Sequence, residues 1–461
     1  MARGVEPLRR SQYLGYAAGD AANNLTFSMA SVFLLIYYTD VAGISAATAG
    51  TLFLVVRIWG GAADLLVGGR VDETSSRWGR FRPYLLFGPL PLLVLLVAIF
   101  SIPTGLSDTG TVIWAYVSYG LFQLAYSFVN IPYGSLSAAM TQEPDERAKL
   151  STSRSIAASL TILVIALVVS PQIGVAENLQ RSLTITTVGF AVVGLALYLW
   201  CFATSREAVE RDSRKVSVHE TVDMLRQNRP LIILCVATLV FLSGMFALQT
   251  VGVYYARDVL GNADLYIVLT VVQTAGMLIA AVIVPPAIAV VGKKRTYLVA
   301  AVVGAVAALG VALAPTSSPA PGIAAYGLLG VPLGVINTLI FAFQADTVDY
   351  GEWKSGVRAE GASYAVLSFM RKAGQGVGGA AAAYTIGLGG YVSGASSQSD
   401  SAISSVRVAA GGVPAVTLLA VGAIMLAYPL TERAFRRVVT EIAERRAAVD
   451  VTAPASATPA P

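Results

Sequence analysis

The sequence predicts an all-α polytopic membrane protein of twelve transmembrane helices, and three observations carry that prediction. Only 13% of its 461 residues are charged and 55% are hydrophobic, whereas a soluble domain carries about 25% charged residues. Mean hydropathy is +0.67. Stretches of about twenty apolar residues, the length that crosses a bilayer as a helix, recur twelve times along the chain.

These stretches lie near 13–39, 46–69, 83–102, 112–140, 152–172, 182–203, 230–256, 264–288, 295–315, 322–347, 361–390 and 407–430. The second, fourth and eleventh contain polar residues yet are long enough to span. Of the 32 Lys and Arg, 26 fall at the N-terminus, in the even-numbered connections and in the C-terminal tail. Arg181, Arg257 and Arg407 stand in the odd-numbered ones, and Arg57, Arg371 and Lys372 lie inside spans. Cytoplasmic loops are the ones enriched in Lys and Arg, so both termini are expected in the cytoplasm of a multi-pass cell-membrane protein.

Net charge is +5, but the cations are dispersed between apolar spans, which excludes a nucleic-acid partner. Cys201 and Cys235 sit in apolar stretches, so no disulfide or metal spacing is expected. The basic start, MARGVEPLRRSQ, has no cleavable signal pattern. The only histidine, His219, falls in the longest polar connection, which excludes proton coupling through an intramembrane histidine.

That connection, 204–229, divides the chain into a six-helix half at 1–203 and another at 230–430, followed by a tail at 431–461 that is read as partly disordered from Ala447 onward. The halves repeat faintly. RWGRFRPY (77–84) follows span two and GKKRTY (292–297) follows span eight. EPDERAK (143–149) follows span four and DTVDYGEWKSGVR (346–358) follows span ten. Two six-helix halves related in this way resemble a major-facilitator transporter.

Charges inside a hydrocarbon-length helix are costly and usually face a polar cavity or a partner. Arg57 and Asp64 are almost two turns apart and share a face of span two. With them stand Asp20, Asn23 and Asn24 in span one, Gln123, Tyr126 and Asn130 in span four, and Arg154 opening span five. In the second half there are Asn337 and Gln344 in span ten, and Arg371, Lys372 and Gln375 in span eleven. Trp59, Tyr126 and Tyr133 add aromatic faces. Converging donors and acceptors beside aromatic rings suit a hydroxyl-rich ligand such as a sugar.

Asp64 is the expected ion-coupling carboxylate, because burial and a neighbouring cation pull its protonation in opposite directions. The alternative is permanent pairing with Arg57 or Lys372. For Asp20 the alternative is an orienting or capping role. Arg371 points about 100° away from Lys372 and is expected against the loops. Arg77, Arg80 and Arg82 are read as gate latches that meet Asp145, Glu146, Asp346, Asp349 or Glu352 across the halves when the cytoplasmic side is shut. GQGVGGAAAAYTIGLGGY (374–391) is a packing stretch, since no Lys-Ser/Thr follows it to make a phosphate loop. Pro132, Pro285, Pro286 and Pro332 are expected to kink or break spans four, eight and ten. No catalytic constellation appears, so an enzyme is not expected.

Arg57-Ile58-Trp59 with Asp64, SRWGRFRPY, Asn130-Ile131-Pro132-Tyr133, and ADTVDYGEWKSGVR followed by Arg371-Lys372 occur in this order. Together they resemble the glycoside–pentoside–hexuronide:cation symporters of the major facilitator superfamily. The resemblance implies cation-coupled sugar symport by alternating access, with Asp64 at the coupling position. It implies sugar-site positions for Asp20, Tyr126, Asn130, Arg154 and Lys372. Melibiose permease, in that family, has a second carboxylate on span two where this chain has Gly60. Na⁺ prefers several oxygen ligands and a proton needs one base, so H⁺ is the expected coupling ion and Na⁺ the less favoured one. Asn130 replaces the family's span-four acid, and Gly134 the tryptophan after it, which argues against a melibiose-like galactoside site. No cofactor or obligate protein partner is expected. The rival readings are a facilitator or exporter of an amphiphile and a transporter-like sugar sensor.

Overall fold

A computed structural model of the chain describes residues 8–141, 144–173, 178–207, 226–355, 360–392, 395 and 397–452. His219, Arg358 and the side chain of Asp145 lie outside the described residues. Among the described residues twelve long helices cross back and forth: α1 (Arg10–Ile36), α2 (Ala46–Glu73), α3 (Arg82–Ile99, interrupted at Gly88), α4 (Asp108–Met140), α5 (Pro144–Val169), α6 (Leu179–Thr204), α7 (Arg229–Val259), α8 (Leu265–Val291), α9 (Lys293–Leu313), α10 (Ala320–Ser355), α11 (Glu360–Leu388) and α12 (Asp400–Leu426). A thirteenth, α13 (Glu432–Thr452), follows them. Twelve crossings bring both chain ends to one face, called here the terminal face.

Ten of these helices are long and apolar enough to cross a membrane by composition alone. The other two, α1 and α11, are 27 and 29 residues long, ample for a hydrocarbon core of about 30 Å at 1.5 Å per residue. Polar residues along the middle of α1 are turned inward. Asp20, Asn23, Thr26, Ser28 and Ser31 of α1 are all buried. Leu and Val instead occupy the outer surfaces, as at Val192, Val282 and Val303, where lipid would cover them.

Helix starts follow local capping chemistry. Ser45, Ser107 and Ser399 each accept a hydrogen bond from a backbone N–H in the first turn of α2, α4 and α12. The Ser399 cap explains why α12 begins at Asp400, seven residues before the expected start at 407. The prolines do not break their helices: α4 runs through Pro132, α8 through Pro285 and Pro286, and α10 through Pro332. Likewise the tail, read as disordered from Ala447, continues α13 to Thr452.

The packing repeats between halves. In the first, α1 packs on α5 and α6, α2 on α4, and α3 on α4 and α6; adding six to each number reproduces the main pairs of the second half. The halves meet through α1 with α7, α2 with α11 and α5 with α8. The repeat extends to the connections. Backbone N–H groups of Arg80, Phe81 and Arg82 donate to the Glu207 carboxylate just after α6. Lys293 N–H donates to Glu432 just after α12. Gly79 and Gly292, at φ +102° and +84°, turn the chain at these two points, where a side chain would also strike Glu207 or Glu432.

Small residues let α11 approach its neighbours closely. A Cβ on Gly378 would collide with the Ser243 carbonyl of α7, and one on Gly376 with the Arg57 side chain of α2. Replacing Gly378 by Val is therefore expected to cost roughly 1–3 kcal/mol, the usual penalty of overpacking. A detergent thermal-unfolding midpoint that does not fall in this variant would contradict the packing described.

Candidate functional site

Arg57 and Asp64 share a face of α2 but do not pair with each other. The Arg57 guanidinium donates to Ser31 Oγ of α1 at 2.7 Å and to Gln375 Oε1 of α11 at 3.4 Å. It also lies 4.7 Å from the Phe27 ring centroid. Asp64 has one partner in each half: Ser127 Oγ of α4 donates to it at 2.6 Å, and Lys372 of α11 forms an ion pair with it. A single carboxylate thus links the two halves within the helices.

Asp20 is 2% exposed and lies ten residues into α1, which rules out a helix-cap role. It accepts from Arg154 Nε of α5 at 2.6 Å and from Asn24 Nδ2 at 2.8 Å. Arg154 in turn stands 5.4 Å from the Tyr133 ring, which stacks on Tyr16 at 4.8 Å. Asp20 and Asp64 are each matched by a cation and by a further polar contact, as low-dielectric surroundings require.

A cavity of about 510 Å³ connects these groups, within the usual range for small-molecule sites. Its walls include Asp64, Asn130, Arg154 and Lys372, with Tyr364, Ser368 and Phe369 of α11. Asp20 reaches it through Arg154. Tyr126 is not among its lining residues; it is buried against Phe27 and Phe122. The lining runs from Gly61 and Lys372 toward Gly68, Ser135 and Tyr364, near the terminal-face ends of α2, α4 and α11. The cavity therefore opens toward the terminal face.

On that face the expected latches take other partners. Arg82 donates to the Phe202 and Trp78 carbonyls, Arg80 Nε to the Val71 carbonyl, and Arg77 lies over the Trp78 ring. Asp346 is held by Lys293 of its own half at 2.7 Å, rather than by an arginine of the other. Asp349 and Glu352 lie further along α10 and are half-buried. Glu146 accepts from the Thr141 hydroxyl and Leu8 N–H, and these bonds hold its carboxyl below the usual carboxylate range. The latch expectation applied to a shut terminal face, and here the cavity opens there.

The opposite face is shut by residues that sequence reasoning passed over. Arg257 pairs with Asp40 of the other half at 2.7 Å and with Asp258 at 2.9 Å, and also contacts the Tyr391 hydroxyl. Thr39 and Tyr254 share a hydrogen bond of 2.8 Å across the halves. The signal was a second repeat, DVAG (40–43) and DVLG (258–261). Both copies close a π-helical turn with a glycine at positive φ, Gly43 at +67° and Gly261 at +83°. Coupling energies of this kind are typically about 1–3 kcal/mol. Arg257→Ala is therefore expected to shift the balance of the two faces roughly 5- to 150-fold toward opening the opposite face. Distances between spin labels at Ala47 and Asp264 would lengthen; an unchanged distribution would remove the latch.

The model of the family described as "MFS/sugar transport protein" matches residues 15–432. The chain belongs to this family. Among relatives in it, the glucuronide carrier protein homolog of Escherichia coli (strain K12) is 40% identical over 94% of this chain and 95% of its own. The isoprimeverose transporter of Lactiplantibacillus pentosus is 33% identical over 88% and 86%. The fold is also that of solved transporters. The nucleoside transporter NupG superposes with TM-score 0.65 at 12% identity, covering 91% of this chain and all of NupG. A bacterial homolog of the lysosomal transporter Spinster, solved inward-facing and unoccupied, gives 0.63 at 12% identity, with 95% and 98% covered. The MFS/sugar transport assignment accounts for the two repeated halves and for a polar cavity between them.

Proposed function

We propose that this chain is a sugar symporter that couples import of a glycoside, pentoside or hexuronide to H⁺ by alternating access. The observation that carries the proposal is Asp64, bonded to Ser127 in one half and ion-paired with Lys372 in the other, at the deep end of the cavity. Protonating Asp64 neutralises its side of the pair and loosens α2 from α11. The sugar-loaded site then changes its exposure with the proton aboard, and the emptied, deprotonated carrier returns without either. The ammonium group against Asp64 opposes either cation there, but a proton needs only this one base, whereas Na⁺ prefers several oxygen ligands.

The terminal face is cytoplasmic in this reading, on the strength of its Lys and Arg enrichment. The structure described is then the inward-open state, with Arg257, Asp40 and Tyr391 shutting the outer side. Names borne by the relatives, glucuronide carrier and isoprimeverose transporter, support a sugar with either an acidic or a neutral ring.

Uptake into proteoliposomes across a panel of glycosides and glucuronides, under an imposed pH gradient, an imposed Na⁺ gradient or neither, tests the proposal. Accumulation driven by the pH gradient alone is the expected result. Accumulation driven only by Na⁺ would overturn the coupling assignment. Equilibration without accumulation would make the protein a facilitator.

A further inference from the structure

Arg57, Arg154, Arg371 and Lys372 are the cations on the site-building helices that lie closest to the cavity or to its neighbouring helices. Two are matched by carboxylates, Arg154 by Asp20 and Lys372 by Asp64. Arg57 is satisfied by neutral groups, Ser31, Gln375 and the Phe27 ring. Arg371 is different. Its guanidinium lies 5.0 Å from the Phe341 ring, and its Nη1 is shut off from solvent with no hydrogen-bond partner among the described residues. The loop contacts expected for it are replaced by this position between α10 and α11.

A guanidinium N–H that is shut off from solvent and donates to nothing is costly, so a site that keeps one is completed by something else. Arg371 itself does not line the cavity, but its neighbours on α11 do. Tyr364 and Ser368, seven and three residues before Arg371 on the same face of α11, line that cavity, as does the next residue, Lys372. Across from Arg371 the Phe341 ring is 41% exposed. On α10, Asn337 and Gln344 share the stripe of Phe341, four residues before it and three after.

We propose that Arg371, with Phe341 as an apolar floor and Asn337 and Gln344 on the same stripe of α10, is the subsite that reads the carboxylate of a uronic-acid glycoside. A planar guanidinium presents parallel donors that match a carboxylate in a bidentate pair, and it stacks on an aromatic ring while doing so. The two amide side chains supply donors and acceptors for ring hydroxyls. The bound sugar's charge would then balance Arg371 and leave Lys372 to Asp64. The inference rests on the sugar-symport reading.

The test is competition in proteoliposome counterflow, which needs no driving gradient. Phenyl β-glucuronide is compared with phenyl β-glucoside, which differs only in bearing a hydroxymethyl group where the other has the carboxylate. The wild type is expected to favour the uronide. In Arg371→Gln the affinity for the uronide is expected to fall roughly 10- to 100-fold more than that for the glucoside, the range of a charge-assisted hydrogen bond. Arg371→Lys is expected to lie between, since it keeps the charge and loses the fork. Equal losses for both sugars, an unaltered preference in Arg371→Gln, or a wild type that favours the glucoside would each overturn the proposal. If Arg371→Gln is not monodisperse in detergent, the wild-type preference and Arg371→Lys decide. Counterflow of neither sugar by the wild type would instead sink the symport reading itself.

Discussion

Asp64→Asn is expected to abolish uphill sugar accumulation while sugar can still exchange across the membrane. One pH unit corresponds to about 1.4 kcal/mol, so a transporter moving one proton per sugar can concentrate it about tenfold for each unit of gradient. An amide in place of Asp64 cannot take up that proton. It can still accept from Ser127, so the α2–α4 contact survives. It cannot neutralise Lys372, and leaving one partner of a buried pair uncompensated costs about 3–5 kcal/mol. Lower thermal stability should therefore accompany the lost accumulation, and Asp64→Asn with Lys372→Gln should recover much of the stability without recovering coupling. Accumulation by Asp64→Asn at the wild-type ratio, measured as internal over external labelled sugar, would show that the proton travels elsewhere.

The Asp20–Arg154 pair supplies the second large effect. Asp20 is 2% exposed while Arg154 is 44% exposed and lines the cavity, so the two truncations are not equivalent. Arg154→Gln strands a carboxylate inside the wall and is expected to cost about 3–5 kcal/mol. Asp20→Asn leaves a cation that retains the Tyr133 ring and access to the cavity, so its cost is smaller. The double variant, Asp20→Asn with Arg154→Gln, should be more stable than Arg154→Gln alone. Strictly additive losses in a double-mutant cycle of unfolding midpoints would mean that the pair is not coupled.

Much of this arrangement could be read from the chain because membrane crossing imposes simple constraints. Charges are expensive in hydrocarbon, so Asp20, Asp64, Arg154 and Lys372 stood out, and the structure draws them into or beside one cavity. Which partner each would take was not legible, since pairing depends on packing between helices distant in sequence. Asp64 had Arg57 and Lys372 as candidates, and the fold sends Arg57 to Ser31 and Gln375 instead.

The charged connections were harder. Arg80 and Arg82 looked like side-chain latches, yet their backbone N–H groups carry the tie to Glu207, and no side-chain pattern announces a backbone contact. Asp40 and Arg257 lie in the π-helical ends of helices beside connections poor in charge, so a count of cations passed over them. Their role becomes visible once DVAG and DVLG are aligned as corresponding turns of α1 and α7. Helix ends shifted for local reasons, such as the Ser399 cap that starts α12 early.

The most direct test of the central claim, that Asp64 carries a proton with the sugar, is the pH of a lightly buffered suspension of proteoliposomes when sugar is added. Wild-type protein should alkalinise the medium as sugar enters, and Asp64→Asn should not. Sugar entry by the wild type with no pH change, and with a requirement for Na⁺, would contradict the account.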